Sequence, residues 1–176
     1  VMGLDPSGDK ALQAYFIMGR SENSRNRVFF EQDGELRIRL HQARSAGDTD
    51  LILYRPTATC GRQLIVTNGD QTDTILAAVR RGGSFESALR GRSFEPDAPH
   101  FTPRISGMMI LRPDGLQSSL SILRAADSQG SACDRLFFEY PGLPGQGRFL
   151  HTYLGDGAPL PAFEGEPRAV AIPGDI

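Results

Sequence analysis

The chain has 176 residues, a formal charge of −2 and 39% hydrophobic residues. That is enough for one domain over 1–176 with a single buried core, and it excludes a basic field that would draw the protein to nucleic acid or acidic lipid. Any anion site must therefore be local. Lys10 is the only lysine, so positive charge is carried by arginine, the side chain suited to bidentate contact with phosphate or carboxylate.

The opening Val1-Met2-Gly3-Leu4 reads as the tail of a strand and predicts that residues precede it. Asp5, Pro6, Ser7 and Gly8 are turn formers, and residues 11–18 then run apolar as a second strand. Residues 19–27 follow, with Arg20, Arg25 and Arg27 alternating with Ser21, Asn23, Ser24 and Asn26. A folding core has no use for that mixture, so it reads as a ligand-facing turn. A strand over 27–31, an Asp33-Gly34 hairpin turn and the alternation of 35–40 come next; that alternation places Arg37 and Arg39 on a solvated face.

Residues 45–50 read as a loop. Residues 51–54 read as a short apolar strand stopped by Pro56, with Tyr54 at its end. Residues 63–67 form another strand that runs into Asn68-Gly69-Asp70. There Asp70 is placed to cap a helix, with Asp73 three residues on, before the helical stretch 75–81. Two carboxylates at a helix start argue against phosphate there and for a cap or a hydroxyl-bearing ligand. Gly82-Gly83 ends the helix, and Ser84 opens a shorter one through Arg90.

Pro96, Pro99 and Pro103 stiffen the loop that presents Glu95, Asp97, Thr102 and Arg104 ahead of a buried strand at 105–111. Strands at 116–123, 136–140 and 148–154 complete the pattern, followed by a Gly/Pro-rich tail. Eight or nine strands and two helices give an α+β domain of layered antiparallel sheets.

Cys60 and Cys133 have no second Cys or nearby His at ligand spacing, and His41, His100 and His151 are scattered, so no metal site is expected. Two thiols without a signal-like or bilayer-length apolar run predict a cytoplasmic protein with no membrane partner. No Ser-His-Asp elbow, phosphate-binding lysine loop or dinucleotide glycine fingerprint is present. From the residues alone, the chain offers a metal-free site for a small polar anion.

Three stretches carry a resemblance: Tyr15-Phe16-Ile17-Met18-Gly19-Arg20-Ser21-Glu22-Asn23-Ser24-Arg25-Asn26-Arg27-Val28-Phe29, then Val66-Thr67-Asn68-Gly69-Asp70-Gln71-Thr72-Asp73-Thr74-Ile75, then Phe94-Glu95-Pro96-Asp97 through Thr102-Pro103-Arg104-Ile105. Together with Phe138-Glu139-Tyr140, His151-Thr152-Tyr153 and the run from Phe163 to Arg168, they resemble the bacterial IMP cyclohydrolase-like family. More thinly, the chain is similar to archaeal IMP cyclohydrolase around Asn26-Arg27, Tyr54, Asn68-Gly69 and the loop from Glu95 to Ile105.

The resemblance implies a four-layer αββα fold like that of the Ntn hydrolases, without their N-terminal nucleophile. It implies ring closure of 5-formamidoimidazole-4-carboxamide ribonucleotide to IMP with loss of water, and no metal, folate or nucleotide cofactor. By the same resemblance Arg27, Tyr54 and Glu95 are the catalytic candidates. Arg20, Arg25 and Arg104 are candidates for phosphate, and Asn68, Asp70 and Asp73 for ribose or base. Ser21, Asn26 and Thr102 complete the expected substrate-binding set. A homo-oligomer is compatible with the resemblance. The alternatives are a non-catalytic purine-nucleotide binding module and another amide-bond enzyme on the same fold, the latter disfavoured because Val1 offers no nucleophile.

Overall fold

The computed structural model describes residues 1–42 and 51–174. In chain order the elements are β1 (Met2–Leu4), β2 (Ala11–Gln13), α1 (Glu22–Arg25), β3 (Arg27–Gln32), β4 (Glu35–Leu40), β5 (Thr57–Cys60) and β6 (Gln63–Thr67), then α2 (Gln71–Arg80), α3 (Phe85–Leu89), β7 (Arg104–Arg112), β8 (Gly115–Ala125), β9 (Cys133–Pro141), β10 (Gln146–Phe149) and β11 (Arg168–Ala171). They form a five-stranded sheet ordered β5-β6-β7-β8-β9, a four-stranded sheet ordered β11-β10-β1-β2, and the β3-β4 hairpin. Every strand pair is antiparallel, so the expected α+β class of mostly antiparallel sheets is what is observed.

Alternation along β7 and β8 sends successive side chains to opposite faces of the larger sheet, and each face has its own core. On one face Ile65, Met108 and Leu123 pack with Ile75 and Leu76 of α2 and Phe85 and Leu89 of α3. On the other, Val66, Met109, Leu116 and Leu120 pack with Met2 and Leu4 from the smaller sheet. The sheets come closest at Gly107, where a Cβ would stand 2.4 Å from the Met2 sulfur. Only glycine fits that spot without moving Met2. Among the described residues this makes three layers, one helical and two of sheet, and the fourth layer of the expected αββα sandwich is not among them. The one remaining helix, α1, buries no residue.

Several local expectations change. Residues 11–18 keep ladder pairing only to Gln13, residues 51–54 are turn and coil with the strand beginning after Pro56, and the expected strand at 148–154 ends at Phe149. The strand β11 adds to β10 from within the Gly/Pro-rich tail. The hairpin turn forms as expected, with Asp33 and Gly34 both at positive φ, 53° and 74°. Arg39 is exposed and lies 5.5 Å over the Phe30 ring. Arg37 is half-buried instead, 2.6 Å from Glu35, because Arg55 leaves the neighbouring segment to share that carboxylate at 3.7 Å and covers this end of the face. The loop expected at 45–50 lies outside the described residues. Among those described, no helix is long and apolar enough to cross a membrane.

Candidate active site

One end of the gap between the two sheets collects the chemically active residues. Beyond β2 the chain keeps alternating without pairing: Tyr15 points inward against the inter-sheet core, while Phe16 and Met18 are exposed. The polar run then forms α1. Ser21 accepts from the Ser24 amide at 3.1 Å, and the Ser24 hydroxyl accepts from the Ser21 amide at 2.9 Å, a reciprocal cap. Asn26 is spent on the hairpin, with Nδ2 donating to the Gln42 carbonyl at 2.8 Å and Oδ1 accepting the Gln42 amide at 2.9 Å. Arg25 reaches back to the Arg20 carbonyl at 3.3 Å.

Arg27 begins β3 with its guanidinium turned across the site. Its Nε donates to the Ser24 carbonyl at 2.6 Å and its Nη1 to the Ile52 carbonyl at 3.2 Å. The second bond ties down the irregular segment that carries Tyr54. The Tyr54 hydroxyl lies 2.7 Å from that of Tyr15. Burial raises the Tyr54 pKa, while hydrogen bonds from Tyr15 and Arg27 and the Arg27 charge work in the opposite direction. Burial raises Tyr15 as well, reinforced by Tyr54. Both phenols are thus neutral at physiological pH.

Glu95 is buried in the stiff loop, its amide donating to the Thr102 carbonyl at 2.9 Å. Burial pushes its carboxyl up to about 7; Arg104 and Arg20 act against this, and Asp97 and Asp70 with it. A carboxyl poised near neutrality can both take and give a proton. Its charge is also felt by Tyr15, Tyr54 and Tyr153.

That cluster is Arg20, Asp97, Thr102 and Tyr153. Arg20 Nη2 donates to Asp97 at 3.2 Å, and its Nη1 to the Tyr153 hydroxyl at 3.2 Å and to Thr102 Oγ1 at 3.5 Å. Thr102 and Tyr153 share a hydrogen bond of 2.8 Å. The loop backbone is bent to make these contacts: Phe101 sits at φ 42° and is braced edge-on against Phe94 at 5.4 Å.

A third cluster braces the floor. Asn68 uses all of its side chain, Oδ1 accepting the Ile105 amide at 2.8 Å and Gln71 Nε2 at 3.1 Å, Nδ2 donating to the Pro103 carbonyl at 2.8 Å and to Thr152 at 3.2 Å. Asp70 stands at the start of α2, but its side chain makes no cap bond, contrary to the expectation from its position. It turns instead to Arg104 at 2.5 Å and Arg92 at 2.6 Å. Burial alone would raise the Asp70 pKa, but the Arg92 hydrogen bond and the two guanidinium charges outweigh it and hold the carboxyl below its usual range. In these pairs both partners are charged, whereas in a cap only the carboxylate would be. Asp73 meets Arg55 at 3.5 Å rather than any group around Glu95.

The structure therefore brings Arg27, Tyr54 and Glu95 to one place, with Arg20, Thr102, Asn68, Asp70 and Arg104 around them. Ser21 caps α1, Arg25 reaches the Arg20 carbonyl, Asn26 binds Gln42 and Asp73 meets Arg55. Sequence reasoning left Tyr15, Tyr153 and Gln71 out of the site. The signal for Tyr15 was there in the inward-outward alternation of 15–18, and the hydroxyls of Thr102 and Tyr153 meet only through folding.

A family model described as IMP cyclohydrolase-like protein matches residues 1–174. The chain belongs to the IMP cyclohydrolase-like family. No curated protein matches it. For a member of this family the contrast between clusters is informative: the Asn68 side chain is taken up by internal partners and Asp70 by two arginines, whereas the Glu95 carboxyl is held near neutrality by burial. Among the described residues, no group of three or more His, Cys, Asp or Glu side chains is gathered in a way that could hold a metal ion.

Proposed function

We propose that this protein closes the purine ring of 5-formamidoimidazole-4-carboxamide ribonucleotide, with loss of water to give IMP. The observation that supports the reading is a Glu95 carboxyl pushed up to about 7 by burial, with Tyr54 in electrostatic reach of both Glu95 and Arg27, in a chain whose family model spans residues 1–174.

In this reading the carboxamide nitrogen attacks the formyl carbon of the same molecule. A new N–C bond forms, and the formyl oxygen becomes a hydroxyl by taking a proton. That hydroxyl then leaves as water with a second proton, and a ring nitrogen loses its proton to complete the C=N bond. A carboxamide is a weak nucleophile, so holding the formyl group turned toward it is the first requirement. Because the reaction is intramolecular, fixing that geometry can be worth several kcal/mol. Arg27 stabilises negative charge on the formyl oxygen, Tyr54 hands it a proton, and Glu95 takes the proton from nitrogen, a division of labour typical of buried donors facing developing charge.

Arg20 is the favoured phosphate contact. Its guanidinium is partly exposed and held by one carboxylate, which an incoming phosphate could replace. Arg104 is buried against Asp70 and acts through the floor of the site. The fourth layer of an Ntn-hydrolase-like sandwich, a cytoplasmic setting and a homo-oligomeric assembly belong to the same proposal. Purified protein given the formamido nucleotide should produce the absorbance change of IMP formation. Binding of IMP without that change would instead favour the purine-nucleotide binding module.

A further inference from the structure

Tyr54 is carried by a segment that has no strand partner to aim it. Residues 51–56 are turn and coil, and two contacts substitute for a ladder. Arg27 holds the backbone through the Ile52 carbonyl, and Tyr15 holds the phenol through the 2.7 Å contact between hydroxyls. Tyr15 is itself fixed. It packs in the inter-sheet core, meets Phe29 edge-on at 5.9 Å, and follows Ala14, whose amide donates to the Val1 carbonyl at 2.9 Å.

A phenol oxygen has two acceptor positions and one hydrogen to give. We propose that Tyr15 is a positioning residue for ring closure, donating its hydroxyl hydrogen to the Tyr54 oxygen so that the Tyr54 O–H is left to be aimed outward at the substrate. This rests on the ring-closing function proposed above. The arrangement makes Tyr54 the proton donor and leaves Tyr15 without contact to the reacting atoms.

The test is a double-variant cycle on kcat with Tyr15→Phe, Tyr54→Phe and both together. Phenylalanine keeps the ring that packs in the core, so the folded state survives, and a thermal melt of each variant checks it. Tyr15→Phe should lower kcat about tenfold and change KM by less than about twofold, and the double variant should be no slower than Tyr54→Phe alone. A structural role unconnected with Tyr54 would make the two losses multiply. Wild-type kcat in Tyr15→Phe, or multiplying losses, overturns the inference while leaving the proposed reaction standing. A wild-type protein with no turnover removes the reaction, and this inference with it.

Discussion

Asp97 grips Thr102 twice, its Oδ1 accepting the Thr102 amide at 2.7 Å and its Oδ2 the Thr102 hydroxyl at 2.5 Å. Thr102 in turn receives the Glu95 amide on its carbonyl. The proline-held loop is thereby closed on itself, and the position of Glu95 depends on a carboxylate two residues away. Replacing Asp97 with Ala strands the Thr102 amide and frees Arg20. Unfolding in urea should show a loss of about 1–3 kcal/mol, the cost of leaving buried partners unpaired. Turnover should fall with it, because Glu95 loses its anchor. A variant as active and as stable as wild type would show that the loop is held by its prolines alone.

Tyr54 and Arg27 differ in what their replacement removes. Tyr54→Phe keeps the ring but deletes the hydroxyl, and with it both the transferable proton and the contact to Tyr15, so kcat should drop about 100-fold, within the usual range for a general acid. Arg27→Lys keeps the charge, but one ammonium cannot serve the Ser24 carbonyl, the Ile52 carbonyl and Tyr54 together. It should cost at least about tenfold in kcat and lower the melting temperature as well. Arg27→Lys with wild-type turnover would reduce Arg27 to a point charge.

Much of the fold could be read from local pattern, and the failures have a common cause. The β3-β4 hairpin and the β6-to-α2 junction were legible because alternation, Asp33-Gly34 and Asn68-Gly69 are short-range signals. Residues 51–54 look like a strand by composition, yet their polar atoms are claimed by Arg27 and Tyr15, which the segment itself cannot predict. Asp70 fails as a cap for the same reason, since Arg92 and Arg104 approach from 22 and 34 residues away. The one-turn helix α1 has no apolar periodicity to reveal it, only the Ser21 and Ser24 spacing. In the site, the polar loops were visible, and their grouping was not. Tyr153 meets Thr102 across 51 residues of sequence.

Asn68 is the joint between β6, β7 and the segment after β10, with both side-chain atoms doubly bonded to the interior. Asn68→Asp is nearly isosteric but replaces an amide donor with an acceptor facing the Pro103 carbonyl. The expected loss is about 1–3 kcal/mol of unfolding free energy measured in urea, with turnover lowered through displacement of the loop rather than through loss of a ligand contact. Should Asn68→Asp keep wild-type stability while losing nucleotide affinity, Asn68 would be a direct ligand contact instead of a brace.

Glu95 gives the clearest pH signature. Its folded value of about 7 lies above the ordinary 4.5, because burial penalises the carboxylate. Between those two pH values the folded chain keeps a proton that the unfolded chain has released, so stability falls as pH rises through that window and the full penalty is present above pH 7. An interval of that size corresponds to about 3 kcal/mol. Glu95→Gln is neutral throughout. It should therefore melt higher than wild type at pH 8, with the advantage fading toward pH 4.5, and it should lose most of its turnover at every pH. The wild-type kcat profile should carry an inflection near pH 7 that is absent from the variant. Equal melting temperatures of the two proteins at pH 8 would mean that Glu95 is ionised at little cost, and proton transfer would then have to be assigned to another group.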